Sequence, residues 1–140
     1  AYSFVAVAKR ARAMMPEGGS LLTLSYYGAE KVVPHYNVMG VAKAALESAV
    51  RYLANDLGPD GIRVNALCPG PVNTPLLQEL FAADPVQAQR RLVHVPSGRF
   101  GEPEEIAAAV AFLASDDSTF VNASTFTVDG GITSAYVTAE

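Results

Sequence analysis

Two side chains able to handle a proton, Tyr36 and Lys43, lie seven residues apart in this 140-residue chain. A helix turns by about 100° per residue, so a helix containing both would place them within about 20° of each other. The ammonium would then lower the pKa of the phenol and ease proton donation, and it could also donate hydrogen bonds to a sugar diol. The alternative is an ordinary helix surface, on which Lys43 pairs with Glu47 and Glu47 with Arg51. Spacing alone favours this ordinary surface, because tyrosine and lysine often share a helix face.

Strand and helix patterns alternate around this pair. In order, they predict a helix from Tyr2 to Met15, a strand from Ser20 to Tyr26, a helix from His35 to Leu57, a strand from Ile62 to Leu67, two short helical pieces from Pro75 to Val95 broken at Asp84-Pro85, a helix beginning at Pro103 and a strand from Ser124 to Asp129. Three parallel strands alternating with helices predict the second half of a doubly wound α/β sheet. Ligands bind at the carboxyl ends of the strands in such sheets, and this end carries Ser25 and Tyr26.

The helix from His35 to Leu57 carries an apolar stripe at three- and four-residue spacing. The residues predicted to be buried along it are Val38, Ala42, Ala45, Leu46, Ala49, Leu53 and Leu57.

Composition excludes several other classes of protein. A net charge of −4 gives no basic surface, so we expect no nucleic-acid partner, and no apolar run is long enough for a membrane span. A single cysteine, Cys68, excludes an internal disulfide, and His35 and His94 are too scattered to predict a metal site. We expect a cytoplasmic location.

The chain begins at Ala1 within a helical pattern, which suggests a fragment that begins inside a fold. No G-x-G-x-x-G turn for a pyrophosphate occurs in it. We therefore expect residues 1–140 to form a single partial domain that lacks a dinucleotide-binding half. The alternative is a complete small protein.

The segments Leu21–Glu30 and Tyr36–Leu46 closely resemble bacterial enoyl-[acyl-carrier-protein] reductases. That family belongs to the short-chain dehydrogenase/reductase superfamily, whose members have Rossmann-like domains. Ordinary members place a tyrosine four residues before the lysine, where this chain has Met39. The enoyl reductases place it seven residues before, as Tyr36 is here.

The resemblance implies roles for particular residues. It implies Tyr36, Lys43 and Tyr26 as catalytic residues, Lys43, Gly70, Pro71, Val72 and Thr74 as cofactor-binding residues, and Tyr26, Tyr36 and Met39 as substrate-binding residues. The implied cofactor is NADH, with NADPH not excluded, and no metal is implied. The implied substrate is an acyl thioester, possibly on acyl carrier protein. The family also implies a homo-oligomer, a tetramer, in which Val41 and Val50 would contact a neighbouring subunit.

Two of these assignments have local alternatives. Tyr26 could simply pack at a strand end beneath the following loop. The run Cys68-Pro69-Gly70-Pro71-Val72-Asn73-Thr74 could be an ordinary strand-to-helix turn. As a cofactor loop, Gly70 would let the backbone approach a flat ring, and the prolines would limit the entropy lost on binding.

The segment Pro75–Val95 is predicted to be a lid over an apolar substrate. Its candidate covering residues, which could instead pack on the sheet, are Leu76, Leu77, Leu80, Phe81, Leu92 and Val93. Arg90 and Arg91 could meet an acidic carrier protein or form a solvated helix face.

From Cys68 onward the chain also resembles ordinary short-chain dehydrogenases, through Gly98–Ile106 and Val128–Gly131. The first expectation is therefore an oxidoreductase of fatty acid biosynthesis that reduces an enoyl thioester. One alternative is a short-chain reductase acting on a ketone or alcohol such as a 3-oxoacyl thioester. Another is an inactive fragment or interaction module.

Overall fold

A three-stranded parallel sheet forms the centre of the fold. The computed structural model describes residues 1–134, without the side chains of residues 87, 88, 90 and 91. The strands are β1 (Gly19–Leu24), β2 (Ile62–Pro69) and β3 (Thr125–Val128), in the order β1-β2-β3. Gly19 is level with Ile62, and Ala66 is level with Thr125. The predicted α/β class with a parallel sheet is confirmed.

Within residues 1–134, five α-helices accompany the sheet. They are α1 (Tyr2–Ala11), α2 (Asn37–Leu57), α3 (Pro75–Ala83), α4 (Pro85–Leu92) and α5 (Pro103–Ala114). Short 3₁₀ turns cover Arg12–Met14, Tyr27–Ala29, Gly58–Asp60 and Asp116–Ser118. The predicted break in the segment before Val95 is confirmed at Asp84, which lies between α3 and α4. Pro103 occupies the first turn of α5, as predicted.

The central strand β2 is buried on both faces. Ile62, Val64 and Ala66 pack with residues of α1 and α2 in one apolar cluster. Arg63, which alternates with them, donates instead to the carbonyl oxygen of Leu113 at the end of α5, at 3.1 Å. Because successive side chains of a strand point to opposite faces, α2 and α5 cover opposite sides of the sheet.

The buried face of α2 differs from the predicted stripe. Its buried residues are Leu46, Glu47, Val50, Ala54 and Leu57. Val38 is 80% exposed, and Val50, predicted at a subunit contact, is only 1% exposed and belongs to the core. Leu46 and Leu57 are buried as predicted, but the predictions for Val38 and Val50 were wrong. Alanines lie on two neighbouring faces of α2, so the apolar pattern did not fix the helix rotation.

Two predicted boundaries shift at the end that carries the site. Strand β1 ends at Leu24 rather than Tyr26, although the Ser25 N–H still donates to the carbonyl oxygen of Leu67 at 2.7 Å. Helix α2 begins at Asn37 rather than His35. His35 and Asn37 both have positive φ, 64° and 36°, so the chain makes a turn there instead of a helical start.

Candidate active site

Two residues of α2 hold the carboxyl end of β1. Lys43 Nζ donates to the carbonyl oxygen of Leu24 at 2.7 Å. One helical turn later, the carboxylate of Glu47 accepts a hydrogen bond from the Ser25 hydroxyl, and both residues are buried. The alternative of a Lys43–Glu47–Arg51 surface ladder is therefore wrong, because the Glu47 carboxylate points into the fold.

Three tyrosines cluster directly after this strand end. The ring of Tyr26 lies 4.4 Å from that of Tyr27 and 5.0 Å from that of Tyr36, centre to centre. Tyr26 and Tyr36 meet edge to face, at 62°, which is a favourable arrangement for aromatic rings. The phenol predicted to donate a proton thus contacts the phenol predicted to shape the pocket.

Two glycines make room for Tyr36. A Cβ at Gly28 would lie 2.6 Å from Cδ1 of the Tyr36 ring, and a Cβ at Gly40 would lie 2.8 Å from the carbonyl oxygen of Gly28. The 3₁₀ turn Tyr27–Ala29 can therefore lie against α2 only because both positions lack side chains.

The surroundings of Tyr36 raise the pKa of its hydroxyl, first through burial and then through the nearby Cys68. This direction is opposite to the lowering expected from Lys43. The Lys43 ammonium is engaged by the Leu24 carbonyl oxygen, and Tyr36 precedes the first residue of α2. Tyr36 therefore lies outside α2, and the prediction that one helix face carries both Tyr36 and Lys43 was wrong.

Cys68 is buried near the carboxyl end of β2. Burial is the largest cause that raises the pKa of its thiol to about 11, and the charges of Glu47, Asp129 and Glu30 add to it. Lys43 acts in the opposite direction. The thiol therefore experiences the charges of both residues that hold the end of β1.

The loop after β2 is fixed on two sides. A Cβ at Gly70 would lie 2.6 Å from the Cα of Asp129, so the structure gives this glycine a close approach to the segment after β3. This contact explains the glycine at position 70 without the predicted need for room for a flat cofactor ring. Next to it, Val72 forms an isolated parallel bridge with Gly101.

The N–H of Val72 takes no part in the two hydrogen bonds of this bridge. Gly101 donates to the carbonyl oxygen of Pro71 at 3.0 Å and accepts from the N–H of Asn73 at 2.7 Å. In a parallel pairing of this kind, the N–H of the intervening residue points away from the partner. The main chain at Val72 therefore fits a carboxamide contact of the kind expected for a nicotinamide.

Thr74 begins the lid helix. Its hydroxyl oxygen accepts from the N–H of Leu77 at 3.3 Å and so caps α3. The hydroxyl hydrogen can still be donated, because a hydroxyl both donates and accepts. This cap does not conflict with the predicted contact between Thr74 and a cofactor.

The start of the lid is also tied to α5. The Asn73 side-chain amide donates to the Glu102 carboxylate at 3.2 and 3.3 Å, and Gln78 Nε2 donates to Asn73 Oδ1 at 2.9 Å. Glu102 is the N-cap of α5, where Glu105 completes a capping box. Arg99 holds the Glu105 carboxylate by two hydrogen bonds of 2.7 and 2.6 Å.

Asp129 accepts from the turn that follows β3. Burial opposes its ionisation, but hydrogen bonds from Thr133 and Gly131 outweigh that effect and lower its pKa. The bonds are 2.8 Å from the Gly131 N–H and 2.9 Å from the Thr133 N–H. A carboxylate thus fixes the segment that faces Gly70.

A cavity of about 620 Å³ opens between the tyrosine cluster and α3. Tyr26, Pro71, Val72 and Thr74, all predicted site residues, line it. The other lining residues are Tyr27, Val33, Pro34, His35, Leu76, Leu77, Leu80, His94 and Ile132. We call this space the strand-end cavity; its walls are mostly apolar, which suits an acyl chain.

Three other predicted site residues, Tyr36, Lys43 and Met39, line other cavities. Tyr36 lines a cavity of about 380 Å³ beneath residues 28–33. Lys43 and Met39 line a third, of about 670 Å³, on the other side of the end of β1. The structure therefore brings Tyr26, Pro71, Val72 and Thr74 together in one cavity, but it places Tyr36 and Lys43 in two other cavities.

Three of the six candidate covering residues of the predicted lid line the cavity, whereas Val93 is exposed. Leu76, Leu77 and Leu80 of α3 line the strand-end cavity. Phe81 instead stacks on Phe100, with ring centres 5.1 Å apart, which favours the packing alternative for that residue. The side chains of Arg90 and Arg91 lie outside the described residues, so their contact with a carrier protein stays a prediction.

Sequence reasoning missed the pairs that fix the site. Ser25 and Glu47 are 22 residues apart, and Asn73 and Glu102 are 29 apart. The available signals were Glu47 within an apolar helix face and Gly28 and Gly40 on either side of Tyr36. None of these residues indicates from the sequence alone which distant residue it contacts.

Residues 1–134 contain no group of three or more histidine, cysteine or acidic side chains that could hold a metal ion. Within the same range, no helix is both long enough and apolar enough to cross a membrane.

A parallel sheet, a pocket at its carboxyl edge and a fixed turn after the second strand define an α/β protein of the doubly wound, ligand-binding class. A family model described as Enoyl-(Acyl carrier protein) reductase matches residues 1–133. The chain belongs to this family. The match continues without a break through the part after Cys68 that also resembles ordinary short-chain dehydrogenases.

Individual relatives agree with the family match. The chain is 50% identical over 135 residues to enoyl-[acyl-carrier-protein] reductase [NADH] 1 of Rhizobium meliloti, covering 93% of the chain and 47% of that protein. A solved enoyl reductase of Anaplasma phagocytophilum in complex with NAD has a TM-score of 0.85 and 43% identity, covering 99% of the chain and 53% of the neighbour. A Bacillus cereus enoyl reductase with NADP+ and indole naphthyridinone has a TM-score of 0.84 and 43% identity, with coverages of 98% and 53%. The chain thus spans about half the length of these proteins.

Proposed function

We propose that this chain forms the catalytic half of an enzyme that reduces the double bond of an enoyl thioester, with NADH as the hydride donor. The observation that carries the proposal is the strand-end cavity, which brings Tyr26 together with Val72, Thr74 and the apolar residues of α3. A carbon–carbon double bond conjugated to a thioester needs an apolar site and a proton donor near the thioester oxygen. The strand-end cavity would provide the apolar site, and the proposed proton donor Tyr36, which lines a neighbouring cavity, contacts the ring of Tyr26 in its wall.

The roles follow the family pattern. Tyr36 stabilises or protonates the enolate oxygen, Tyr26 shapes the pocket around it, and Met39 contacts the substrate. Lys43 would hold the ribose of the cofactor, because its ammonium can donate to a diol in place of the Leu24 carbonyl oxygen.

The loop after β2 would hold the nicotinamide. The Val72 N–H is not used in the bridge to Gly101, and Thr74 retains a hydroxyl hydrogen to donate. Gly70 and Pro71 fix the backbone between β2 and this contact. When bound, the cofactor supplies the hydride, and the residues of this loop orient its ring. NADPH remains an alternative, since a relative was solved with NADP+.

The dinucleotide-binding half would be supplied by a segment corresponding to the part of the relatives that this chain does not span. Apolar side chains on the outer face of α2 support a homo-oligomer, a tetramer as in the family: Val38 is 80% exposed and Val41 72%. The proposed substrate is an acyl thioester carried by acyl carrier protein. We place the enzyme in the cytoplasm, where these thioesters and reduced nicotinamides would be available.

The test uses the 140-residue chain joined to the N-terminal half of the Rhizobium meliloti enzyme, here called the joined enzyme. It is assayed with an enoyl thioester and with a 3-oxoacyl thioester by the loss of NADH absorbance. We expect reduction of the enoyl thioester, with Tyr36→Phe and Lys43→Ala each lowering kcat by at least about 100-fold. Tyr52→Phe is the matched control, because Tyr52 is an exposed tyrosine of α2.

Reduction of the 3-oxoacyl thioester alone would instead assign the chain to the ketone-active reductases. Titration of the unjoined chain with NADH addresses the fragment alternative. Saturable binding that weakens in Lys43→Ala would show that the half-site is assembled without the rest of the relatives' length. A joined enzyme that folds but binds no NADH and reduces neither thioester would refute the proposal.

A further inference from the structure

Successive residues at the end of β1 are held by different side chains of the site. Leu24 accepts from Lys43, Ser25 donates to Glu47, and Tyr26 packs against Tyr36. Lys43 and Glu47 lie four residues apart, one turn of α2. The strand end that presents Tyr26 is therefore fixed to the helix that presents Lys43 by two side-chain bonds.

The Ser25–Glu47 bond is the more protected of the two. Ser25 is 5% exposed and Glu47 is 6% exposed. A buried carboxylate needs hydrogen-bond donors, and the Ser25 hydroxyl has a single hydrogen to give. Glu47 is also more buried than a residue of an α2 surface ladder would be, so solvated helix charge does not account for it.

We infer that Glu47 is a positioning residue of this active site, which acts through Ser25 to fix Tyr26 and Lys43 relative to each other. The inference rests on the proposed roles of Tyr26 and Lys43. When Lys43 turns from Leu24 to a cofactor diol, its bond to the strand end is given up. The bond between Ser25 and Glu47 then remains as the side-chain tie between β1 and α2, and it holds Tyr26 in place during the reaction.

The experiment compares Ser25→Ala, Glu47→Ala and Glu47→Gln in the joined enzyme. Ser25→Ala and Glu47→Ala should each lower kcat by about 10- to 100-fold, since small displacements of catalytic groups have effects of this size. The KM for the thioester should change by less than about 3-fold, because Glu47 is not among the residues that line the strand-end cavity. Glu47→Gln should retain most of the activity, since its amide oxygen can still accept from Ser25.

Two further variants separate positioning from general stability. The double variant Ser25→Ala/Glu47→Ala should be no slower than the slower single variant, because both changes remove one bond. Asp56→Asn is the matched control, as it removes an exposed carboxylate from the same helix. Thermal unfolding of each variant shows whether the protein is folded at the assay temperature.

Folded Ser25→Ala and Glu47→Ala enzymes with wild-type kcat would overturn the inference. If the joined enzyme reduces only the 3-oxoacyl thioester, the proposed function fails, but the same kcat comparison on that substrate still decides the inference. If the joined enzyme reduces neither thioester, the dissociation constants of the variants for NADH test the inference instead. Weakening by about 10-fold in Ser25→Ala, with Asp56→Asn unchanged, would support a role in placing Lys43, and equal constants would overturn it.

Discussion

Replacing Gly28 by alanine tests how tightly Tyr36 is seated. The added Cβ would lie 2.6 Å and 2.8 Å from Cδ1 and Cε1 of the Tyr36 ring, and 3.3 Å from Cδ1 of Tyr26. Ordinary van der Waals contact begins at 3.4 Å, so the shortest distance is about 0.8 Å too small. Because the φ of Gly28 is outside the left-handed range, the effect is steric rather than conformational.

The collision can be relieved by moving the Tyr36 ring or the 3₁₀ turn Tyr27–Ala29. Overpacking of this kind typically lowers the free energy of unfolding by about 1–3 kcal/mol. In the joined enzyme, which is about twice as long as this chain, each kcal/mol corresponds to about 2–4 °C, so the melting temperature should be lower by roughly 2–12 °C. Thermal unfolding of the joined enzyme, followed by circular dichroism, measures this change.

The effect of Gly28→Ala on activity should be larger than its effect on stability. Since Tyr36 also contacts Tyr26, a displaced ring alters both proposed catalytic phenols. We expect kcat for the enoyl thioester to fall by about 100-fold at a temperature at which the variant is folded. The KM for NADH should change little, because Gly28 lies outside the loop that is proposed to hold the nicotinamide.

Gly58→Ala is the matched control. A Cβ at Gly58 would meet only Asn122 Nδ2, at 3.9 Å, and Gly58 has helical φ and ψ of −55° and −42°. This variant should keep wild-type kcat and a melting temperature that is unchanged or slightly higher. A Gly28→Ala enzyme that matched Gly58→Ala in both measurements would refute the proposed seating of Tyr36.

Two further predictions concern titration. Hydrogen bonds from Arg99 and from the Glu102 N–H lower the pKa of Glu105 to about 2, so the stability it contributes is present above the ordinary value of 4.5 and is lost as pH falls towards 2. The melting temperatures of wild type and Glu105→Gln should therefore converge between pH 4.5 and pH 2, with a small difference because the pair is exposed; a constant difference would contradict this. For Cys68, a pKa of about 11 instead of 9.0 leaves about 1% thiolate at pH 9, so iodoacetamide should react at least about 50-fold more slowly in the folded chain than in urea. Similar rates in both would show that the thiol is not buried.

Elements with strong local signals were predicted well from the sequence. Pro103 with two following glutamates marked the start of α5, and Asp84-Pro85 marked the break between α3 and α4. Helix α1 is also confirmed, although it ends at Ala11 and continues as a 3₁₀ turn. Such signals act within a few residues, where proline and acidic side chains limit the backbone directly.

Features that depend on distant partners could not be predicted in the same way. The burial of Val50 depends on how α2 is rotated against β2, and the alanines of α2 permit two rotations. The need for glycine at position 70 comes from Asp129, 59 residues later. The glycine and prolines after β2 suggested room for a cofactor ring. The same glycine also allows the chain after β2 to contact the chain after β3.

The seven-residue spacing of Tyr36 and Lys43 has a different physical basis from the one that helix geometry suggests. If both residues lay within α2, the helix alone would align them. In the structure, α2 begins at Asn37, so the position of Tyr36 is set by the turn before the helix. The ring needs room in that turn, which Gly28 provides, and Gly40 lets the segment that contains Gly28 approach α2.

The three extra residues relative to a four-residue spacing therefore move the tyrosine out of the helix and against the end of β1. There its ring contacts the ring of Tyr26. Helix geometry alone would not give this contact to a tyrosine inside α2. Glu47 and Ser25 fix the same strand end from the other direction. The orientation of Tyr36 is thus determined by β1 as much as by α2. Substitutions at Gly28 and Ser25, neither of which carries a proposed chemical role, should consequently affect the reaction through the placement of the tyrosines.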